Sequence, residues 1–409
     1  MASLFTTKTR VAGPELIQSN VLPRAVANAL PVNGHMSLTT TLQGLAALET
    51  QWKSLEQESL NTLSVFQSYA WVLNWAKIYM TGTSKSELCI ITGYVHARLV
   101  FVLPLMKERR GPITVLRWLS EPFAQYGDIL ISPGENSKTW LRNATDFIGH
   151  LRDIDIVRLR HVREDAGIAD FCRTDLVDAR HDAQAPFLDL TAFTSDESYD
   201  ARYTSTQRKR RKKIRKELET LGPIEFRILP SGSLNDTAIQ EAILEKNKWL
   251  KERGRYNRIL SCPSHMRFLK NLSRSKVEGA EMVTSELRAG DKPISWEIGF
   301  NFRGTHFAYI TSHVNALTDL SPGRLHMDLS QRHCIRQGLQ RFDLMVPNDP
   351  HKESWSSGHV ATSDYYLPLT LAGHVFGQGY LRTLRPIIRE VYYKTPAWLL
   401  KIIKPIFGI

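Results

Sequence analysis

Paired cysteines are the first thing this chain does without. Cys89, Cys172, Cys262 and Cys334 are its only four, far apart and with no CxxC spacing, which argues against a zinc ribbon or a disulfide framework and suits a reducing compartment. No stretch approaches the ~18 uninterrupted apolar residues of a membrane-crossing helix. Residues 1–35 hold no compact apolar block of the secretion-signal kind; Pro14, Pro23 and Pro31 punctuate them. They read as a flexible leader, with a cleaved organelle-targeting peptide as the alternative. A cytoplasmic protein is the expectation. Acidic residues are also in short supply, 41 against 53 Lys and Arg, for a net charge of +12. Eight of those positive charges occupy positions 208–216. The basicity is therefore local, and composition alone does not make this a nucleic-acid protein.

What is present fits a folded chain of two or three domains: 409 residues, 42% of them hydrophobic,. Leu42, Leu45, Leu48 and Trp52 recur at helical spacing, and Trp71 and Trp75 share a face of a second helix in "FQSYAWVLNWAKIY",. These tryptophans read as core. Strand-like runs follow in "ELCIITGYV", "RLVFVLPLM" and "ITVLRWL", then a helix around "TWLRNATDFIGHL" and the strand-like "DIDIVRLRHV",. From about residue 195 the same order returns: helices, the strands "EMVTSELRAG", "KPISWEIGF" and "THFAYITSH", the helix "RLHMDLSQRHCIRQG" and the strand "RFDLMVP". The pattern predicts a mixed α/β (α+β) layer fold occurring twice. The expected units are the leader, domains at 36–192 and 193–372, and a basic, apolar tail at 373–409.

The second unit carries the most informative stretch. Ser321, Pro322 and Gly323 stand between a strand and an amphipathic helix. Pro is tolerated at a first helical position, Gly permits close backbone approach, and the first-turn N–H groups are unpaired at the dipole's positive end. Such a start suits a phosphate or pyrophosphate; an ordinary capped turn is the plainer alternative.

Together "FQSYAWVLNW", "VFVLPL", a basic "R..R..IRK" helix, "SPG" and "FDLMVPNDPHKESW" make residues 40–370 resemble the CelD-like, cellulose-biosynthesis-associated acetyltransferases of the GNAT superfamily, relatives of the FemAB transferases. Asp343, Asp349 and Lys352 match the motif at its end; Pro347 and Asn348 stand where Gly is usual, His351 replaces a Tyr, and of the Gly-rich phosphate loop only Gly323 remains. The resemblance implies a tandem GNAT-like acyl-CoA N-acyltransferase fold, active in its second half, moving an acetyl or other acyl group from acetyl-CoA (acyl-CoA) to an amine or hydroxyl. It implies no metal, a small-molecule or saccharide acceptor, and work in polysaccharide or cell-envelope biosynthesis. An aminoacyl-tRNA-dependent FemAB-like transferase and a non-catalytic scaffold on the same fold are the alternatives.

This chemistry assigns the donor to Ser321, Pro322, Gly323, Arg324 and Leu325, and the thioester oxygen to a backbone N–H of the splayed strand, with Tyr309, Ile310 and Thr311 as candidates. Three side chains are candidate bases. Glu297 lies in an apolar strand, where partial burial would raise its pKa; an outward face or a salt bridge is the alternative. His313 ends a strand and titrates near neutrality, or is merely a polar cap. Asp349 is the third, unless it orients Lys352. Lys352 could pair with a substrate phosphate or carboxylate, and Trp355 could floor the acceptor pocket or pack in the core.

As a helix over 206–221, the basic run puts Arg208, Arg211, Lys212 and Arg215 on one stripe, beside a narrow apolar line of Ile214, Leu218 and Leu221,. Its cations crowd the N-terminal turns, against the dipole, at about 0.3–1 kcal/mol each when exposed. A bound anion would offset that cost, making Arg208, Arg211 and Arg215 candidate substrate contacts; a solvated face is the alternative. Nucleic acid is disfavoured, since no aromatics interleave the charges. In the tail, Pro386, Pro396 and Pro405 argue against one long helix. Trp398, Leu399, Leu400, Ile402 and Ile403, with Lys401 and Lys404, either pack on the body or lie in the inner face of a membrane.

Overall fold

The computed structural model describes residues 30–59, 65–80, 86–275 and 280–395, the side chains of 389 and 392–394 excepted. Of the leader, residues 30–35 fall within that range, and Gly34 and His35 already open the first strand. Tail residues 396–409, including the Trp398–Lys404 cluster, lie outside it.

The strands in chain order are β1 (Gly34–Thr39), β2 (Ser86–Val95), β3 (Arg98–Arg110), β4 (Ile113–Trp118), β5 (Leu130–Ile131), β6 (Ile156–Arg163), β7 (Val177–Asp189), β8 (Ile224–Leu229), β9 (Ala280–Ala289), β10 (Lys292–Phe302), β11 (Thr305–His313), β12 (Arg341–Asp343) and β13 (Gly358–Pro368). They join in one sheet of order β1-β2-β3-β4-β6-β13-β7-β12-β11-β10-β9-β8, with β5 beside β3. Among the described residues each half has one parallel pair, β4 with β6 and β11 with β12. The halves then exchange their last strands. β13, late in the sequence, pairs with β6, while β7 pairs with β12, and the two exchanged strands pair with each other. Backbone hydrogen bonding thus ties the halves into a continuous sheet.

Helices cover both faces. On one, Tyr69–Tyr79 of the first half packs on Pro263–Arg274 of the second, with the Trp71 and Phe268 rings 4.9 Å apart. Ser68 starts the first of these by accepting a hydrogen bond from the Trp71 amide, the normal device for an orphan first-turn N–H,. Trp52, Trp71 and Trp75 are all buried there, as their spacing predicts. On the other face lie Ser137–Gly149 in the first half and Ser205–Glu219 and Pro322–Arg336 in the second.

Pro386 does not break the tail. Helical backbone runs from Leu371 to Lys394 through a π-type segment, Phe376–Leu384. The Arg385 amide donates to the Tyr380 carbonyl, and this wider turn accommodates the proline that a regular α-helix would exclude,.

Candidate active site

The parallel pairing of β11 with β12 covers only Thr305–Phe307 and Arg341–Asp343. β12 stops because the Asp343 carboxylate is drawn into the protein. Its Oδ1 accepts from the Tyr126 hydroxyl (2.9 Å) and the Met345 amide (2.7 Å), and its Oδ2 from Arg163 (2.6 Å). Met345 follows at φ 62°, turning the chain away. β11 continues to His313 without that neighbour, so the strands splay and the edge from Ala308 onward loses its register partner. A β-bulge adds to the opening: Ile298 pairs with Ile310 and Gly299 with Ala308, leaving Tyr309 unmatched on β10,.

A cavity of about 590 Å³ fills the splay. Helix Pro322–Arg336 begins on its wall. Ser321, at φ 56°, supplies no side-chain cap to that helix, and Pro322 takes the first position. Gly323 lines the cavity, and a Cβ there would have His313 Nδ1, at 3.5 Å, as its one neighbour within 4 Å. Pro322 has no N–H and the Arg324 amide donates to the Ser321 carbonyl at 3.0 Å, so the Gly323 amide, together with the dipole's positive end, is what this start offers an anion.

Most of the candidate residues meet in this cavity: Glu297, Tyr309, Ile310, Thr311, His313, Ser321, Gly323, Arg324, Asp349 and Lys352 all line it. Pro322 and Leu325 are buried. Leu325 packs with Ile214 and Leu218, so only its backbone remains for a donor.

The three candidate bases differ in what holds them. Glu297 is buried, and its Oε1 accepts from Ser330 (2.5 Å) and lies 3.1 Å from His306 Nε2. Burial alone would push the carboxyl up. The His306 hydrogen bond, the His306 and His326 rings and the Ser330 hydroxyl outweigh it, so the pKa lies below the usual carboxylate value. This corrects the expectation of a raised pKa: the histidines and the serine come from elements whose proximity the strand sequence does not reveal. Its Oε2 is buried without a hydrogen-bond partner among the described residues.

His313 is half-buried. Thr318 gives its hydroxyl proton to the Asn315 carbonyl (2.7 Å), so His313 Nε2 is the donor in the 3.2 Å contact with Thr318 Oγ1. Nδ1 is left as an acceptor facing Gly323. Burial, then Lys246 and Arg253, lower the pKa of this ring, and it is neutral at pH 7.

Asp349 has a structural task. It caps helix Pro350–Glu353 by accepting from the His351 and Lys352 amides at 2.8 and 2.9 Å. Lys352 in turn donates through Nζ to the carbonyls of Met345 (2.8 Å) and Pro347 (2.9 Å), and burial lowers its pKa to about 8. The lysine braces the turn that ends the splay.

The remaining predicted contacts lie elsewhere. Arg208, Arg211, Arg215 and Trp355 line a second cavity, of about 570 Å³, between helices Ser205–Glu219 and Pro322–Arg336. The first of these helices has the predicted orientation, with Ile214 and Leu218 buried; Leu221 is exposed. Arg211 pairs with Asp328, and its guanidinium carbon lies 3.4 Å from the Tyr203 ring centre and 4.4 Å from that of Trp355. Trp355 is core-packed and floors this second space. Eight Lys and Arg against three Asp line it, a strong cationic excess. Arg324 lines both cavities.

Several lining residues had no role in the sequence reading. His265 Nε2 lies 3.4 Å from the Tyr309 hydroxyl, and burial lowers its pKa to about 4. Lys246 and Trp249 come from helix Ser233–Glu252, and Gln125 from the first half. An isolated histidine after a helix-opening proline was the only local signal for any of them.

Residues 205–353 match the family model of the acetyltransferase (GNAT) domain. No curated protein matches the chain. Among solved structures it is similar to FemX, with a TM-score of 0.56 and 10% identity over 85% of this chain and 100% of that one. It is also similar to the C-terminal domain of an Agrobacterium fabrum protein named for lysylphosphatidylglycerol synthetase activity (TM-score 0.50, 9% identity, 83% and 95% covered). A conserved Bacteroides thetaiotaomicron protein of unknown function matches at TM-score 0.50 and 11% identity, with 81% and 100% covered. The fold is mixed α/β, two GNAT-like units in tandem, with the matched acetyltransferase domain in the second.

Proposed function

We propose that the chain transfers an acyl group from a thioester carrier, acetyl-CoA in the simplest case, to an amine or hydroxyl. One observation carries this reading: an unpaired, bulged strand edge and an uncapped helix start share one cavity with a buried carboxylate. The helix start at Ser321–Arg324 receives the donor's diphosphate. The thioester oxygen, as it gains negative charge, receives a backbone N–H from the bulge around Tyr309. The acceptor attacks the carbonyl carbon, the C–S bond breaks, and the acceptor's proton passes to Glu297 and on to the departing thiolate. Glu297 suits this step because it is ionised at neutral pH, is fixed by Ser330 and His306, and keeps Oε2 free. His313 stands beside the phosphate end and positions the donor.

The CelD-like resemblance favours a saccharide acceptor in envelope or polysaccharide synthesis. The cationic second cavity, which shares Arg324 with the first, favours a phosphate-bearing substrate and leaves an aminoacyl-tRNA donor as the second reading. Titration calorimetry separates the donors. Acetyl-CoA is expected to bind wild-type protein, and about tenfold more weakly to Arg324→Glu. If acetyl-CoA releases no heat while tRNA binds with a steep salt dependence, the second reading replaces the first.

A further inference from the structure

The helix Leu371–Lys394 is seated by one edge only. A Cβ at Gly373 would lie 1.8 Å from the Asp155 carbonyl oxygen, and one at Gly377 would lie 2.4 Å from the Tyr366 ring. The two glycines therefore let the helix backbone lie directly on the sheet. Leu381 is buried with Val115, Ile156 and Ala179, and Arg385 reaches Asp364 at 2.9 Å. Positions 373, 377, 381 and 385 make one docked ridge.

The opposite side carries Leu371, Val375, Tyr380, Leu384, Ile387, Ile388 and Val391, each between 39% and 81% exposed. At the pitch of a regular α-helix these positions would scatter around the axis. The wider turns of the π segment bring them to one side,. A continuous apolar stripe of this length on a folded surface marks a contact with something else.

The charge pattern identifies the occupant. From residue 371 to the last residue there are six Lys and Arg, one of them the docked Arg385, against one Glu, and the sequence beyond the helix, "PAWLLKIIKPIFGI", is apolar with two lysines and no acid. A second copy of this face would bring like charges together, whereas an anionic surface would complement them. We propose that this helix lies in the headgroup plane of an anionic phospholipid bilayer, apolar stripe inward, and holds the chain on the membrane surface. No helix among the described residues is long and apolar enough to cross a membrane, so the contact is peripheral.

The test is flotation of the full chain with large unilamellar vesicles of phosphatidylcholine alone, or with about a third phosphatidylglycerol. Wild-type protein is expected to float with the anionic vesicles and to be partly released by high salt. The variant Leu384→Glu/Ile387→Glu/Ile388→Glu should lose at least about tenfold of that binding. The neutral pair Ile387→Asn/Ile388→Asn should also weaken it, which separates lost insertion from added repulsion. Thermal unfolding of both variants should stay at the wild-type value, because the substituted side chains face solvent. Three results overturn the proposal: no flotation of the wild type, flotation of the triple variant at wild-type level, or a wild-type dimer that the triple variant dissociates while vesicle binding is unchanged.

Discussion

The two halves use the same crossover for opposite purposes. In the first, the parallel pair Val115–Arg117 with Ile156–Arg158 is followed by a filled space. Glu121 sits there, buried, accepting from Arg158 (2.6 Å) and Arg160 (3.2 Å), with Arg117 3.7 Å away, and Trp118 closes over them through a hydrogen bond to the Arg160 carbonyl. The helix that follows is capped by Asn136. In the second half the corresponding pair opens into a cavity, and the corresponding helix has no side-chain cap. Topology alone therefore does not make a site. What separates the halves is whether the space after the parallel pair is packed and whether a side chain caps the helix that follows. The filled half still serves the open one: Phe123 accepts from the Tyr309 hydroxyl, Tyr126 anchors Asp343, and Gln125 lines the cavity.

The largest expected effect breaks chemistry in the open half alone. Glu297→Gln keeps the shape of the side chain and removes the proton acceptor, so kcat should fall by about 10²–10⁴ with donor affinity nearly unchanged. A steady-state assay with acetyl-CoA checks it; full turnover by this variant would remove Glu297 from the proposed role.

The complementary change in the filled half should act on stability instead. Glu121→Gln leaves Arg158, Arg160 and Arg117 buried around a neutral amide, at a cost of about 3–5 kcal/mol measured by urea unfolding. Donor KM in the protein that remains folded should change little. The pH dependence has a definite sign. Burial opposes ionisation of Glu121, but Arg158, Arg160 and Arg117 prevail and lower its pKa from 4.5 to about 2. The folded state thus holds the proton less tightly than the unfolded one. The resulting stabilisation, up to about 3 kcal/mol, is complete above pH ~4.5 and is lost as pH falls toward 2. Glu121→Gln should lack this part of the acid slope.

How far the sequence reveals these differences depends on what satisfies each element. β2, β3, β9, β10 and β11 are legible because their apolar runs are buried by helices. The exchanged strands are not. β7, "VDARHDAQAPFLD", and β13, "GHVATSDYYLP", look polar, because their groups are met by the other half: Ser363 by Asp182, and Thr362 by the Ala183 carbonyl. Arg180, at φ 54°, interrupts β7 further. The same holds at the site. The open helix start follows from three adjacent residues, whereas the low pKa of Glu297 depends on His306, His326 and Ser330, and Gln125 reaches the cavity from nearly two hundred positions away. Local signals report local structure; groups held by the exchange of strands are readable only once the strands are paired.

The smallest expected effect tests the helix starts directly. Asn136 Oδ1 accepts from the Thr139 amide at 3.0 Å, so Asn136→Ala should destabilise the fold by about 1 kcal/mol,. Ser321 makes no such bond and occupies the left-handed region. Ser321→Gly, which relieves the Cβ penalty there, should leave stability equal or slightly higher, by no more than about 1 kcal/mol. Parallel urea titrations of the two variants measure the difference. If Ser321→Gly cost as much as Asn136→Ala, the second helix start would be held by its serine after all, and its amides would not be free for a donor. A small or favourable effect, together with unchanged acetyl-CoA binding, would leave the helix-start backbone at Gly323, and not the serine hydroxyl, as the group that meets the diphosphate.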